Sequence, residues 1–217
     1  MKRTLVLLLI VVIGLISSSC FGPAVRPIAD FTWCPDGENS VLDYHFFSHS
    51  TTIPGHYIIR FDWQFDDGTS IDDYYRDVVH RFAEEGTYFV TLVVTDDRGV
   101  SGTVSKNVQV TPAAFIRTWN LTLGFPVQVM GEVANRSAYI LPTVTLKAKF
   151  YDADGLRLTD GTVVINDMEP GERAAFTVKA QEYSSRIFYA TVAVESFTVD
   201  CSEIFQPVPM RSDASDR

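Results

Sequence analysis

Two pairs of adjacent aspartates, Asp66-Asp67 and Asp96-Asp97, stand just ahead of Gly68 and Gly99, where turn carboxylates could gather round a hard cation. Calcium takes six to eight oxygens from converging loops, so the two pairs would have to meet to hold one; otherwise they are solvated turn acids. Asp152-Ala153-Asp154-Gly155 does not make an EF-hand, because its glycine comes fourth and no glutamate stands twelfth. His45, His49 and His56 could ligate zinc, yet their spacing matches no closed tetrahedral site, so no metal is assigned. Trp33, Tyr74, Tyr75 and Phe89 could offer ring faces to a sugar. Tyr74 and Tyr75 are adjacent, so in an extended segment they point opposite ways and one should be buried. No G-x-S-x-G elbow, H-E-x-x-H run, phosphate loop or Cys-His pattern occurs, so no catalytic residue is assigned and the expectation is a protein that is not an enzyme.

Ahead of these residues lies a leader with its own chemistry. Lys2 and Arg3 precede an apolar run from Leu5 to Ile16, followed by Ser17-Ser18-Ser19 and Cys20. A basic head, a short apolar core and small residues describe a secretory signal, too short for a spanning helix. With Cys20 directly behind the serines, the segment resembles a bacterial lipoprotein signal. That resemblance implies cleavage after Ser19 and lipid attachment at Cys20, on sulfur and amine, with membrane as a partner through palmitate-like chains. It places the chain in the bacterial cell envelope, on the outer membrane or the outer face of the cytoplasmic membrane. Ordinary cleavage with Cys20 free or paired is the alternative.

What must position the remaining residues is a set of strands. Phe61, Trp63 and Phe65 alternate with Arg60, Asp62 and Gln64; Tyr88, Val90, Leu92 and Val94 with Phe89, Thr91, Val93 and Thr95; Val144, Leu146, Ala148 and Phe150 with Thr145, Lys147, Lys149 and Tyr151. Period-two hydrophobicity is the mark of strands with one buried face. Asp67-Gly68, Arg98-Gly99, Asp154-Gly155, Asp160-Gly161 and Pro170-Gly171 supply turns between them. The pattern predicts an all-β chain of two tandem immunoglobulin-like antiparallel β-sandwiches after the cleaved signal. The expected divisions are a signal peptide over 1–19, lipidated Cys20 with a short tether over 20–27, sandwiches over 28–112 and 113–203, and a disordered tail over 204–217. Thr111-Pro112-Ala113-Ala114 is a very short linker, which predicts a semi-rigid pair or partial docking.

Charge narrows the partners. The chain has 18 Lys plus Arg against 27 Asp plus Glu; loss of the leader leaves 16 against 27, a net charge of −11. Such a surface repels nucleic acid, so none is expected as a partner. Beyond Cys20 only Cys34 and Cys201 remain. Export permits them to pair, provided the chain ends come together; two idle thiols are the alternative.

In the first half, Trp63-Gln64-Phe65-Asp66-Asp67-Gly68 is followed by His80-Arg81-Phe82, Gly86-Thr87-Tyr88-Phe89-Val90-Thr91-Leu92 and Thr95-Asp96-Asp97-Arg98-Gly99. This series resembles the PKD (polycystic kidney disease) domain over residues 26–112, with Gln64 in place of the usual Asp and Asp66 in place of the first turn glycine. At that place Asp66 should tolerate a left-handed backbone better than most residues. The resemblance implies structural roles for Trp63, Phe65 and His80. In the second half, Gly131-Glu132-Val133-Ala134-Asn135-Arg136-Ser137, Tyr151-Asp152-Ala153-Asp154-Gly155 and Met168-Glu169-Pro170-Gly171-Glu172 resemble the FxLYD family over about 115–200. Gly131 inside a strand pattern marks a bulge or close packing.

Neither resemblance implies catalysis. Together they imply a binding, adhesion or spacer module for protein or envelope partners, with a carbohydrate-binding or accessory subunit of a secreted hydrolase as the runner-up. Phe89 and Val93, outward on one strand, are the first candidates for a contact patch.

Overall fold

The computed structural model describes residues 24–201; the leader, Cys20 and the 204–217 tail lie outside the described residues. Every described element is a strand, as the period-two pattern predicts. The first seven are β1 (Phe31–Asp36), β2 (Asp43–Ser48), β3 (Ile58–Gln64), β4 (Ser70–Asp73), β5 (Asp77–Arg81), β6 (Gly86–Asp96) and β7 (Ser101–Val110). They form two antiparallel sheets ordered β1-β2-β5 and β4-β3-β6-β7. The remaining six are β8 (Ala114–Thr122), β9 (Gln128–Asn135), β10 (Leu141–Tyr151), β11 (Arg157–Met168), β12 (Arg173–Lys179) and β13 (Tyr189–Phe197), in sheets ordered β12-β9-β8 and β11-β10-β13. Each half is a sandwich with its own core.

The signature aromatics go inside. Trp63 is fully buried and meets Phe31 edge-on at 5.2 Å and Phe46 at 5.8 Å between ring centroids. Burial of such rings contributes area together with edge-to-face contacts, each worth about 0.5–1.5 kcal/mol. His80 is also core: its ring stacks on Phe65 at 3.8 Å, and its Nε2 meets Asp67 Oδ2 at 2.7 Å. The second core takes Val144, Leu146, Ala148 and Phe150 from β10.

Three hairpins repeat one geometry. At 65–69, 96–100 and 152–156 the glycine amide donates back three residues while the first and fifth residues pair, and Gly68, Gly99 and Gly155 have φ of 85°, 75° and 84°. This is a three-residue loop closed by a glycine in the left-handed region. Asp66 departs from the expectation set for it: the left-handed position falls on Gly68 alone, so an ordinary backbone serves at Asp66.

Gly131 combines both features foreseen for it. The pairing of β8 with β9 shifts register between Ile116 and Thr118, and a Cβ at Gly131 would run into the Thr118 carbonyl and the Phe176 ring.

Candidate functional site

Site geometry begins at the junction between the sandwiches, because it fixes where everything else points. Cys34, on β1, is joined by a disulfide to Cys201, just past β13, with their Cα atoms 6.4 Å apart. Beside it the Phe197 amide donates to the Gly37 carbonyl at 3.0 Å, and the Phe197 ring occupies the space a Cβ on Gly37 would need. Val41 of the first sandwich packs against the core of the second. Across the linker the Tyr44 hydroxyl donates to the Thr111 carbonyl at 2.9 Å and accepts from the Thr111 amide at 3.0 Å.

Asn135 explains the Asn-x-Ser landmark. Its buried amide donates to the carbonyls of Tyr139, Met168 and Glu169 at 2.8, 3.0 and 3.1 Å, while its oxygen accepts from the Ser137 amide and hydroxyl. That network holds Tyr139, whose hydroxyl donates to the Trp33 carbonyl across the junction at 3.3 Å. Arg136 lies over Phe115 at 3.6 Å and faces Glu85 at 3.9 Å. Trp33 therefore lines a crevice of about 200 Å³ between the sandwiches and does not serve as an open sugar platform.

The carboxylates separate. Ile58 pairs with Asp96 and Gln64 with Thr91, so the Asp66-Asp67 and Asp96-Asp97 turns lie at opposite ends of β3, about 20 Å apart at ~3.3 Å per residue. Asp66 is exposed, while Asp67, Asp96 and Asp97 are engaged locally. Asp67 Oδ1 accepts from the Thr69 amide at 3.0 Å, and Asp97 pairs with His56 at 2.9 Å. Asp96 is fully buried; its Oδ1 accepts from the amides of Arg98 and Val100, both at 3.0 Å, and its Oδ2 accepts from Arg98 Nε and the Thr52 hydroxyl. Burial works to raise its pKa, but the Arg98 guanidinium, the two amides and the Thr52 hydroxyl outweigh it and hold it down at about 2. Asp152 repeats the design: its Oδ1 accepts from Asp154 and Leu156 amides, and its Oδ2 pairs with Arg186. The Leu156 amide is the largest influence holding the Asp152 carboxyl low, against burial and with help from Arg186.

The histidines separate too. His45 lies against Phe47, tilted by 33° with ring centroids 4.0 Å apart, His49 meets the Thr32 hydroxyl at 2.7 Å, and His56 holds Asp97. Among the described residues no three His, Cys, Asp or Glu side chains gather as a metal site.

Aromatic placement differs from expectation. Tyr74 and Tyr75 are both exposed, at 84% and 67%, because they sit in the bend between β4 and β5, where the alternation of a strand does not apply. Phe89 is exposed and Val93 half-buried, but the face they share is polar: Thr91 bonds Ser105 at 2.8 Å and Thr95 bonds Ser101 at 2.9 Å.

A richer set lies where sequence reading did not look. The β8–β9, β10–β11 and β12–β13 connections meet at the end of the second sandwich farthest from the first. There Leu123, Phe125, Leu156, Tyr183, Phe188 and Tyr189 are exposed, Phe125 at 84%. Phe125 and Tyr183 meet edge-on at 5.3 Å, and Tyr189 stacks on Tyr151 at 4.9 Å. Backbone bonds tie the loops to the strand ends: the Ala180 amide donates to Val127, Gln181 to Asp160 and Phe188 to Tyr151. The Arg186–Asp152 pair locks the β12–β13 loop to the β10–β11 hairpin. Loops of irregular period carry no alternation signal; the one available cue was the density of aromatics between turn residues in 123–126 and 183–189.

Comparison with known proteins covers the first half best. Residues 24–112 match the family model of the PKD domain. Similar solved structures include the PKD1 domain of Vibrio anguillarum Epp, at 26% identity over 41% of this chain and 96% of that one, with a TM-score of 0.36. The PKD1 domain of the Vibrio cholerae metalloprotease PrtV is 27% identical over 40% of this chain and 98% of its own, with a TM-score of 0.35. A carbohydrate-binding module of the β-sandwich superfamily is 12% identical over 82% of this chain and 99% of its own, with a TM-score of 0.38. By its family match over residues 24–112, the first sandwich of this chain is a PKD domain.

Proposed function

We infer that the chain is an extracytoplasmic binding and spacing module, anchored to a bacterial membrane through lipid on Cys20, that offers the far end of its second sandwich to a protein partner. The binding is passive: no metal, cofactor or catalytic group takes part, and nucleic acid is not a ligand. The second sandwich is read as a module of the FxLYD kind. One observation carries the proposal, the gathering of exposed Phe125, Tyr183, Phe188, Leu123 and Leu156 on three loops at one end. Apolar groups concentrated on otherwise polar surface mark interaction sites.

The geometry favours protein over polysaccharide. A sugar ring seeks a flat open aromatic face, whereas Phe125 and Tyr183 stand edge to face at 76° with aliphatic residues on neighbouring loops. Rings and aliphatics presented together suit an apolar protein surface. The chain enters the first sandwich at the opposite end, where Val25 is held by Arg98, so two strand lengths in series, about 70 Å, separate entry from tip. The disulfide and Phe197 contacts at the junction limit swinging of that tip.

Sedimentation of the Cys20→Ser protein with envelope fractions tests the reading. Pretreating the envelope with protease should abolish binding, and Phe125→Ser with Tyr183→Ser should weaken it. Loss of binding on polysaccharide digestion, with protease without effect, would replace the proposal with the carbohydrate-binding alternative.

A further inference from the structure

The other end of the molecule bears a second exposed aromatic group, and we propose that it docks on the lipid headgroup layer, setting the PKD domain upright on the bilayer. This inference rests on the anchoring of Cys20 proposed above. Tyr57, Tyr74 and Tyr75 are all exposed on loops at the entry end of the first sandwich, with Val25 and Ile28 exposed beside the point of entry. Their common location follows from the register. Ile58 pairs with Asp96, the Asp97 amide donates to the Tyr57 carbonyl at 3.0 Å, and Arg76 Nε, next to Tyr75, donates to the Ser48 carbonyl at the end of β2. Tyr57 and Arg76 line one shallow cavity of about 300 Å³.

The occupant is fixed by the length of chain outside the described residues. Arg98 Nη2 donates to the Val25 carbonyl at 2.8 Å, so the chain is already held to the domain five residues after Cys20. Five residues span at most about 18 Å, so an acylated Cys20 would keep this end within about 18 Å of the bilayer surface, close enough for its loops to reach the headgroups. No other macromolecule is guaranteed to lie so near. Tyrosine suits the boundary, since its ring is apolar and its hydroxyl stays wet. Fixed charges at this end are mixed: Arg26 and Arg76 stand with Asp72 and Asp77, while Asp96 is paired with Arg98 and Asp97 with His56. Docking is therefore expected to depend on the tyrosines and to be indifferent to anionic lipid.

The test uses the full lipidated chain in phosphatidylethanolamine vesicles, with and without phosphatidylglycerol. A fluorophore is attached at Thr51→Cys, at the entry end, or at Ser185→Cys, at the tip, and quenched by headgroup-linked nitroxide. Cys34 and Cys201 are joined and do not compete for label. Quenching at 51 should exceed that at 185 by roughly twofold or more, and Tyr57→Ser with Tyr75→Ser should lower it by roughly half, though not to the tip value because the anchor still holds this end near the bilayer, while leaving the thermal transition unchanged. Equal quenching at the two sites, or quenching at 51 that ignores the tyrosines and rises only with phosphatidylglycerol, would overturn the docking. Failure of the wild type to float with vesicles, as Cys20→Ser should fail, would remove the anchor itself and the docking with it.

Discussion

Replacing Cys34 and Cys201 by serine should remove the strongest restraint on the orientation of the tip, and its cost can be worked from the covalent loop. The bond closes a separation of 167 residues. In the chain-entropy account a loop of that size contributes about 5 kcal/mol at 25 °C. If only the second sandwich unfolds, the loop shrinks to about 90 residues, and because the dependence is logarithmic the figure falls only to about 4.6 kcal/mol. The molecule also retains the Gly37–Phe197 and Trp33–Tyr139 hydrogen bonds, which are local and cannot replace a covalent link. Guanidinium unfolding is the assay. Trp33 and Trp63 report the first sandwich and Trp119 the second, so the domain that loses stability can be identified with single-tryptophan variants. A slope of about 2–3 kcal/mol per molar for a domain of this size turns the loss into a midpoint drop of roughly 2 M. Addition of reductant to the wild type should reproduce the variant. A midpoint within about 0.3 M of wild type, or a reductant effect on the serine variant, would refute the reasoning.

Other consequences follow from buried polar groups and close packing. The Asp96 carboxyl is held at about 2 in the folded chain against an ordinary 3.8, so it contributes stability above the unfolded value that is lost as pH falls through the folded one. Acid unfolding of the wild type should therefore steepen between about pH 4 and pH 2, and Asp96→Asn should be less stable at pH 7 with a shallower acid limb, read by circular dichroism. Asn135→Ala removes the amide donor shared by the Tyr139, Met168 and Glu169 carbonyls and the acceptor of the Ser137 amide and hydroxyl, and should cost about 2–3 kcal/mol by denaturant titration, with Asn135→Ser recovering little because a hydroxyl cannot reach all three carbonyls. Gly131→Ala forces a methyl against the Thr118 carbonyl and Phe176, so its melting midpoint should fall by an amount equivalent to about 1–3 kcal/mol. Phe125→Ser and Tyr183→Ser lie on exposed loops and should change stability by less than about 0.5 kcal/mol in the same measurement.

How far the sequence could be read depended on whether its signal was periodic. β6 and β10 were legible residue by residue, because a strand with one dry face writes an alternating pattern and Val90, Leu92, Val144 and Leu146 all turn inward. The three glycine hairpins were legible for a similar reason, since a left-handed position narrows the choice of residue. The buried roles of Asp96 and Asp152 were not. An aspartate before a turn looks solvated until the chain returns amides and an arginine to it, and Arg186 comes from 34 residues further on. The aromatic tip was missed on the same grounds: Phe125, Tyr183 and Phe188 belong to loops far apart in sequence, and only the antiparallel register of β8 to β13 brings them to one end. Tyr74 and Tyr75 misled because alternation was applied across a bend.

The central claim is that recognition happens at the far end of the second sandwich. Placing a photoactivatable phenylalanine analogue in turn at Phe125, Phe188 and Phe89 of the anchored protein in cells tests it most directly. Crosslinks to one protein partner from positions 125 and 188, absent from 89 and lost when Tyr183 is changed to serine, are predicted. Crosslinks from 89 with none from the tip would contradict the account.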